Sequence, residues 1–554
     1  MGTHEAAYFY RSEVTEFQVL LEESTRAKPV GPQSRFVEPD AESFGRLKSR
    51  FHHVLYGRRG TGKSSLLRKM EATLREEARL VAWTDQETYT AHSYPDVLVA
   101  TLAEVFRQFS IQVKDISEKP KKKLFRKERL SESESLALVL DDAVAQLVNL
   151  KNSPSESAIE WTASYASSSS INFEGGSDVQ VALRNIKARN SVKAEMGDRR
   201  EDAGSIAHRY KAEKKEHIER AVSVYRDLIK LCTRLAPDAY IVLDDFYRLP
   251  ENVQPDIAGY FHRVVKDTGV WLKFGSIPFW TRLYRGSPAV GLQAPHDIRE
   301  ISLDRGLPDF NNSKRFLEQI LASLAEEMDV DPKKLFSDGA LDRLVLAAGG
   351  VPRDYLGLAS DSIGVAKNRG VSQKAGTGRV IAEDVNEAAG RTVNLKYDDL
   401  EEDAGDRSGD LRELIINLTS HCRKTKRSWF LVDTLRKDLV RKLGRLQNMR
   451  FVHLIDSNES LPDQKSSRYL VYMLDVSQLA AQRAVQVDFM GWQKRSQRRA
   501  RNLVFEGSSV VEEVAGDSLG VAADQPALFS DEDAIFGKID EANSTDLSAF
   551  KDGA

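Results

Sequence analysis

The amino-acid sequence predicts an α/β protein whose parallel sheet is followed by a helical lid and a C-terminal winged helix. Three observations predict this fold. Short apolar runs alternate with segments of helical period from His52 to Leu303, which is typical of a parallel sheet with crossover helices. Helical periods alone continue from Pro308 to about Val393. A basic helical region then precedes two apolar strands joined by a polar turn, which is the end of a winged helix-turn-helix.

Length and composition indicate a multi-domain protein of the ordinary globular class. The chain has 554 residues, of which 41% are hydrophobic and 29% charged, so roughly three or four domains are expected. The cysteines are Cys232 and Cys422, too few for a disulfide framework or a cysteine-rich zinc site. No apolar stretch approaches the roughly 18 residues of a membrane span, and the N-terminus lacks the pattern of an export signal. We therefore expect a cytoplasmic protein without a membrane span.

Five apolar runs are the predicted strands of the sheet, in the order HHVLYG, RLVAWTD, YIVLDD, VWLKFGS and IREISL. Helical segments between them, such as SSLLRKMEATLREEA, supply the crossovers of a parallel arrangement. The pattern weakens between about residues 110 and 215, where we predict an insertion with a hairpin turning near Gly175 and Gly176.

A glycine-rich loop between the first strand and its helix predicts a phosphate site. Its sequence, GRRGTGKS, matches the pattern GxxxxGK followed by Ser or Thr. In such a loop, backbone N–H groups close around phosphates and the positive end of the following helix adds to the attraction. Lys63 is expected to reach the β and γ phosphates and Ser64 to bind Mg²⁺, so the sequence predicts a P-loop NTPase that uses ATP. The predicted nucleotide-binding residues are Gly57, Arg58, Arg59, Gly60, Thr61, Gly62, Lys63, Ser64 and Ser65.

Two acids at the end of the third predicted strand complete the expected site. The run YIVLDD has four apolar residues and then Asp244 and Asp245. A phosphate loop needs a carboxylate on a neighbouring strand to hold the metal ion. We assign Asp244 to the metal and Asp245 to the attacking water.

The order of GRRGTGKS, VLDDFYRLP, KFGSIP and GGVPRDYL, followed by a winged helix, resembles AAA+ ATPases of the origin-recognition (replication-initiator) and STAND-like groups. The resemblance covers roughly residues 40 to 480. It implies that Ser276 is a sensor of the γ-phosphate and that Arg353 touches the nucleotide from the lid. It also implies a homo-oligomer with ATP and an arginine finger from a neighbouring subunit, for which Arg282 or Arg285 is the candidate.

The sequence departs from most AAA+ members at the acid pair. They have Asp-Glu where this chain has Asp244-Asp245, whereas STAND switches often have Asp-Asp. Because Asp is shorter than Glu by one methylene, we expect poorer placement of the attacking water and slow hydrolysis. Asparagine is also more usual than serine at the position of Ser276.

The motifs define the expected domains. These are an N-terminal arm (1–40), an ATPase domain (41–305) with its insertion at about 110–215, a helical lid (306–400), a winged helix-turn-helix (405–480) and a basic, then acidic, disordered tail (481–554).

Basic residues concentrate on the predicted winged helix. Ten Lys or Arg residues lie between Ser420 and Arg450, against two acids. In LVDTLRKDLVRKLGRL the leucines from Leu435 to Leu446 share one helical face, and the predicted DNA-binding residues lie opposite. The turn from residue 457 to residue 467 is the expected wing, with Lys465 and Arg468 near the DNA backbone. The alternative is a basic face that packs against the ATPase domain and binds no DNA, as in STAND switches. The predicted DNA-binding residues are Lys437, Arg441 and Arg445.

The acidic tail contains one short motif. Gln525–Phe529 reads QPALF and resembles the QxxLF peptide with which bacterial proteins dock on the replicative sliding clamp. Alternatively, the tail, with twelve acids and two bases from Phe505 onward, folds back onto the basic helix.

The leading prediction is an initiator-like AAA+ ATPase whose nucleotide state controls association with DNA, either as a loader or as a component of a mobile-element or defence system. The alternative is a STAND-type signalling switch whose winged helix is structural. A scaffold with a degenerate site is disfavoured, because Gly62, Lys63, Ser64 and Asp244 are intact.

Overall fold

The computed structural model describes residues 8–26, 37–38, 41–118, 126–152, 214–373, 378–404, 408–461, 464–479 and 503–507. The predicted hairpin near Gly175 and the predicted clamp motif Gln525–Phe529 lie outside these residues. Within them, no helix combines the length and the apolar character that crossing a membrane requires.

A five-stranded parallel sheet forms the centre of the first domain and confirms the predicted fold class. Its strands are β1 (His53–Tyr56), β2 (Leu80–Asp85), β3 (Ala239–Asp244), β4 (Val270–Ser276) and β7 (Arg299–Ser302). Their order in the sheet is β2-β3-β4-β1-β7, and every neighbouring pair is parallel. Because parallel strands end at the same edge, the ends of β1, β3 and β4 lie side by side.

A small antiparallel pair that the sequence did not predict follows β4 in the chain and precedes β7. It consists of β5 (Tyr284–Gly286) and β6 (Ala289–Gly291).

Helices cover the sheet, and two of them reach into the predicted insertion at about residues 110–215. Helix α4 continues through residue 110 and packs along α5, and Phe106 and Leu140 of these two helices lie in the same buried core as strands β3 and β4. The start of the predicted insertion at about residue 110 therefore belongs to the core of the domain. The helices are α1 (Ser12–Ser24), α2 (Ala41–Lys48), α3 (Lys63–Glu76), α4 (Tyr94–Glu118), α5 (Arg126–Asn152), α6 (Val222–Leu235) and α7 (Gln254–Val265).

The lid is helical, and the N-terminal segment is part of it. Phe9, Phe17 and Leu21 are buried in the core of the lid, so the described residues 8–26 of the predicted arm pack with the lid. The Gln18 side chain donates to the Ser360 carbonyl at 3.0 Å, which fixes α1 along α11. The lid helices are α8 (Phe310–Glu327), α9 (Pro332–Leu335), α10 (Asp338–Ala348), α11 (Pro352–Gln373), α12 (Ala382–Arg391) and α13 (Val393–Ala404).

The C-terminal domain differs from the prediction in one element. Residues 429–433, WFLVD, form a strand, and the expected recognition helix begins only at Lys437. Aromatic and β-branched side chains favour a buried strand here over the helical period of the leucines, and Leu435 is 77% exposed instead of facing the core. Two helices with a strand between them therefore precede the predicted hairpin. The elements are α14 (Ser408–Thr425), β8 (Trp429–Asp433), α15 (Lys437–Asn448), β9 (Val452–Leu461), β10 (Gln464–Leu474) and α16 (Val476–Leu479), with sheet order β8-β10-β9.

Residues 503–507 return to the edge of this small sheet. Val504 pairs with Leu431 of β8, and the Phe505 N–H donates to the Leu431 carbonyl at 2.8 Å. The Phe505 ring is buried against Phe430, with ring centroids 5.9 Å apart. The returning segment therefore covers an edge strand that would otherwise expose unpaired backbone groups.

Replacing Phe505 with Ala should destabilise the protein by roughly 3 to 5 kcal/mol, because it removes a buried ring and leaves a cavity. Glu506→Ala is the matched control, since its exposed side chain is lost while its backbone is kept. Chemical denaturation of both variants measures the difference. Equal stabilities would show that the segment does not pack on the domain in solution.

Candidate functional site

The loop between β1 and α3 has the backbone of a phosphate-binding loop. Gly60 and Gly62 adopt left-handed conformations, with φ of +83° and +92°, which other residues rarely adopt. Gly62 is the N-cap of α3. The first N–H groups of this helix have no partner within the helix, so the loop presents donors and a partial positive charge at one place.

The Lys63 side chain lies inside this loop. Its ammonium donates to the carbonyls of Gly57 at 3.0 Å and Arg58 at 3.2 Å. Burial lowers its pKa, while Asp245 and Asp244 act in the opposite direction. The lysine is therefore held between the loop and the two acids at the end of β3.

Asp244 and Ser64 meet as the sequence predicted for a metal pair. Asp244 is 3% exposed, and burial, followed by the neighbouring Asp245, raises its pKa to about 6, while a hydrogen bond from Ser64 opposes that rise. The neighbouring strand makes room for the carboxylate with a glycine, because a Cβ on Gly275 would lie 2.1 Å from Asp244 Oδ1. A hydroxyl and a carboxylate are ligands that Mg²⁺ accepts, so these residues fit the ion.

Two acids that the sequence analysis missed lie beside Asp245. The carboxylate oxygens of Asp85, Glu87 and Asp245 are within 4.8 Å of one another, and Asp245 has a left-handed backbone with φ of +48°. Asp85 ends β2, the neighbour of β3, so strand order alone brings it here. Because Asp85 and Glu87 are exposed, Asp244 with Ser64 is the better candidate for a bound metal.

A cavity of about 450 Å³ opens above the loop. Its lining comes from the N-terminal segment, the ATPase domain, the lid and the C-terminal domain. Residues 59–65 and Asp245 form its floor, and residues 24–26 reach it from the N-terminal segment. Six apolar side chains lie along the cavity. Six cationic side chains face three acidic ones, a balance that favours a polyphosphate. The apolar set is Val37, Leu303, Phe316, Ile320, Pro352 and Leu356, and the charged set is Arg26, Arg59, Lys63, Arg248, Arg353, Arg450, Glu87, Asp245 and Asp399.

Arg58 differs from the other residues predicted to bind nucleotide. Its side chain is buried and turns away from the cavity, donating to Asp304 at 2.7 Å and to the Gly349 carbonyl at 2.7 Å. The guanidinium therefore joins the loop to the lid, and nucleotide binding by Arg58 stays a prediction for its backbone N–H alone. The motif did not predict this role, because it accepts any residue at the position of Arg58 and does not define the direction of that side chain.

The predicted lid residue, Arg353, lies in the cavity. Its N–H donates to the Gly60 carbonyl at 3.3 Å, and its Nε donates to the Thr25 carbonyl at 3.0 Å. A Cβ on Gly60 would lie 2.6 Å from the Arg353 Cβ, so a glycine is needed for this approach. Its contact with nucleotide stays a prediction.

The structure places the predicted sensor residue in the core and distinguishes the two candidates for the arginine finger. Ser276 is fully buried between β1 and β3; its carbonyl accepts from Gly57, and its hydroxyl bonds that of Thr281. Arg285 is paired with Asp256 of its own chain at 3.1 Å, whereas Arg282 is exposed. Arg282 therefore stays the candidate for a contact with a neighbouring subunit.

The predicted DNA-binding residues separate into two groups. Lys437 and Arg441 are exposed on the first half of α15. Arg445 is only 9% exposed, donates to Glu251 at 2.6 Å and lies over the Trp280 ring. The prediction that Arg445 contacts DNA is therefore wrong in this arrangement, because the side chain joins α15 to the ATPase domain.

A family model described as ORC-CDC6-like matches residues 23–341, more than half of the chain. The structure of the Aeropyrum pernix ORC1 protein in complex with DNA is similar, with 15% sequence identity and a TM-score of 0.33 over 85% of this chain and 95% of that one. That score is too low to transfer fold or function. No curated protein matches the sequence.

Replacing Asp244 with Asn should stabilise the nucleotide-free protein at pH 7.5, on the order of 2 kcal/mol. A carboxyl with a raised pKa holds its proton more tightly in the folded protein than in the unfolded chain, so its ionisation above about pH 6 costs folding free energy. The gain should shrink as the pH falls from 6 towards 4. Denaturation of wild type and variant at pH 7.5 and pH 4.5 tests this, and an equal gain at both would contradict the raised pKa.

Proposed function

This chain belongs to the ORC-CDC6-like family of initiator-like AAA+ ATPases, and from that premise we propose that it binds ATP with Mg²⁺, hydrolyses it slowly and associates with duplex DNA according to its nucleotide state. One observation carries the nucleotide part of the proposal. Lys63, Ser64 and Asp244 meet beside a cavity with six cationic and three acidic side chains. This combination suits a triphosphate and its metal ion.

The cavity suggests how the parts of ATP are held. The N–H groups of the loop and the Lys63 ammonium bind the β and γ phosphates, which requires the lysine to leave its carbonyl partners. The apolar side chains suit the base. Ser64 and Asp244 hold Mg²⁺, which neutralises charge on the phosphate oxygens when bound.

Slow hydrolysis follows from the second acid. Asp245 lines the cavity and is the residue proposed to orient the attacking water. Burial, opposed by Lys63, raises the pKa of Asp245. Its side chain is one methylene shorter than the glutamate usual in this position, so it orients the attacking water less well and hydrolysis is slow.

The contact with DNA is proposed for the first half of α15. Lys437 and Arg441 are exposed one helical turn apart and suit two phosphates of a duplex backbone. The second half of α15 contacts the loop that follows β4. Asn448 bonds the Pro278 carbonyl, and the Phe279 ring packs on Gly444. A change near Ser276 on nucleotide binding is thereby passed to the helix proposed to touch DNA.

The STAND-type switch is kept as the second candidate because of Arg445. An ion pair between the buried Arg445 of α15 and the half-buried Glu251 is what a structural winged helix, held against the ATPase domain, requires. Stimulation of ATP hydrolysis by duplex DNA separates the two candidates, since only the first predicts it.

Two partners are proposed on the sequence alone. A homo-oligomer with ATP, with Arg282 reaching the neighbouring site, is implied by the resemblance. Binding of a sliding clamp through Gln525–Phe529 rests on residues outside the described part of the chain.

Replacing Lys63 with Ala should weaken ATP binding by roughly 100-fold or more, because no backbone contact replaces a cation against two phosphates. Lys69→Ala on the same helix is the matched control. Titration with a fluorescent ATP analogue measures both affinities. Unchanged affinity in the Lys63 variant would refute the nucleotide site.

Reversing two charges, Lys437→Glu with Arg441→Glu, should weaken duplex binding and flatten its salt dependence, because each lost phosphate contact removes about 0.9 from the log–log slope. Lys230→Glu with Arg234→Glu is the matched control, with the same spacing and charge change on exposed positions of α6. DNA affinity is measured over a salt series with ATP present. Equal slopes in the two variants, or no affinity in the wild type, would favour the switch.

A further inference from the structure

Arg450 brings the C-terminal domain into the nucleotide cavity. It follows α15 in a left-handed conformation, with φ of +66°, and its side chain is 14% exposed. It lines the cavity together with Lys63 and Arg353. It also lines a second cavity of about 300 Å³, which shares Arg59 with the first. One cation of the proposed site therefore comes from a domain that no phosphate-loop motif would indicate.

Two carboxylates hold the ends of the Arg450 guanidinium. Nη1 donates to Asp354 at 2.7 Å, and Nη2 donates to Asp399 at 2.8 Å. Asp354 is the neighbour of Arg353 in the lid, and Asp399 is also 3.8 Å from Arg59 of the phosphate loop. The carboxylate of Asp399 thus interacts with one arginine from the phosphate loop and one from the C-terminal domain.

The third nitrogen of the Arg450 guanidinium is not used. Its Nε is buried and has no hydrogen-bond partner among the described residues. A buried donor without an acceptor is unfavourable, and such groups in proteins are nearly always satisfied. Because this nitrogen has almost no accessible surface, a ligand of the cavity would meet it only after the Arg450 side chain shifts, as the Lys63 side chain must also do.

Phosphate oxygens are the acceptors that this cation best fits. A guanidinium donates in a planar fork that matches phosphate geometry, and Arg450 faces a cavity in which cations exceed acids. A neutral base or sugar would provide an acceptor without using that charge. The polyphosphate is therefore the part of a nucleotide that gains most from this side chain.

We propose that Arg450 binds the polyphosphate of the nucleoside triphosphate and thereby makes the position of the C-terminal domain depend on the nucleotide. The inference rests on the proposed ATP site and names one more binding residue in it. Asn448 and Arg445, a few residues earlier, join the same segment to Pro278 and Glu251. Docking of α15 and binding of triphosphate then favour each other, and the coupling is reciprocal.

The test measures the affinities of Arg450→Ala, Arg450→Lys and wild type for ATP and for AMP. Arg450→Ala should weaken ATP binding roughly 10- to 100-fold and AMP binding less than about 3-fold, because AMP lacks the β and γ phosphates. Arg450→Lys should fall between them, since it keeps the charge and loses the fork. If Arg450→Ala does not fold, an unchanged ratio of ATP to AMP affinity in Arg450→Lys overturns the proposal.

Arg445→Ala is the matched control, because it removes another buried arginine that joins the two domains without lining the nucleotide cavity. It should reduce ATP affinity less than Arg450→Ala does. Equal losses in both variants, or equal losses for ATP and AMP, would assign Arg450 to domain docking and overturn the proposal. If the wild-type protein does not bind ATP, the result contradicts the proposed function itself.

Discussion

A buried polar network that begins at Arg58 connects the phosphate loop to the rest of the molecule. Arg58 bonds the Gly349 carbonyl at the end of α10 and approaches Nδ1 of His453 at 3.5 Å, and His453 Nε2 bonds Asp475 at 2.7 Å. Burial lowers the pKa of His453, so the ring is neutral, with Nδ1 accepting and Nε2 donating. Lys396 completes the network by donating to Asp475 at 2.7 Å. Because Arg58, His453 and Asp475 are buried, the loss of one partner would leave another uncompensated.

This network restricts how the domains can move relative to the loop. Gly349 has a left-handed backbone, and a Cβ there would lie 2.1 Å from the His453 ring, so the lid and the C-terminal domain are in direct contact. Burial acts to raise the pKa of Asp475, yet Lys396 and His453 hold it below its usual range, which keeps the carboxylate charged. The nucleotide cavity is thus formed by parts that are already joined, not by an isolated ATPase domain.

The sequence was sufficient where the signal is local. The phosphate loop and each of the five strands, including the one that ends at Asp244, depend on residues close together in the chain. The predicted fold class is confirmed. The sequence was insufficient where tertiary contacts decide. The helical period placed Arg445 opposite the buried leucines, but it could not show that Glu251 and Trp280 of the ATPase domain cover that side of α15. Similarly, nothing near Arg450 or the N-terminal segment indicates a nucleotide cavity, since only folding brings them to it.

Helix α15 packs on the ATPase domain while the side chains proposed to contact DNA stay exposed. The helix has 12 residues, a length of about 18 Å. Its first half is exposed at Lys437 and Arg441, while its second half packs on the ATPase domain. Exposing the proposed DNA-binding side chains therefore requires no undocking, and a mechanism that uncovers a hidden surface is unnecessary. On the proposed function, nucleotide instead changes the position of a basic helix that is already accessible, whereas the signalling alternative requires the Arg445–Glu251 contact to break.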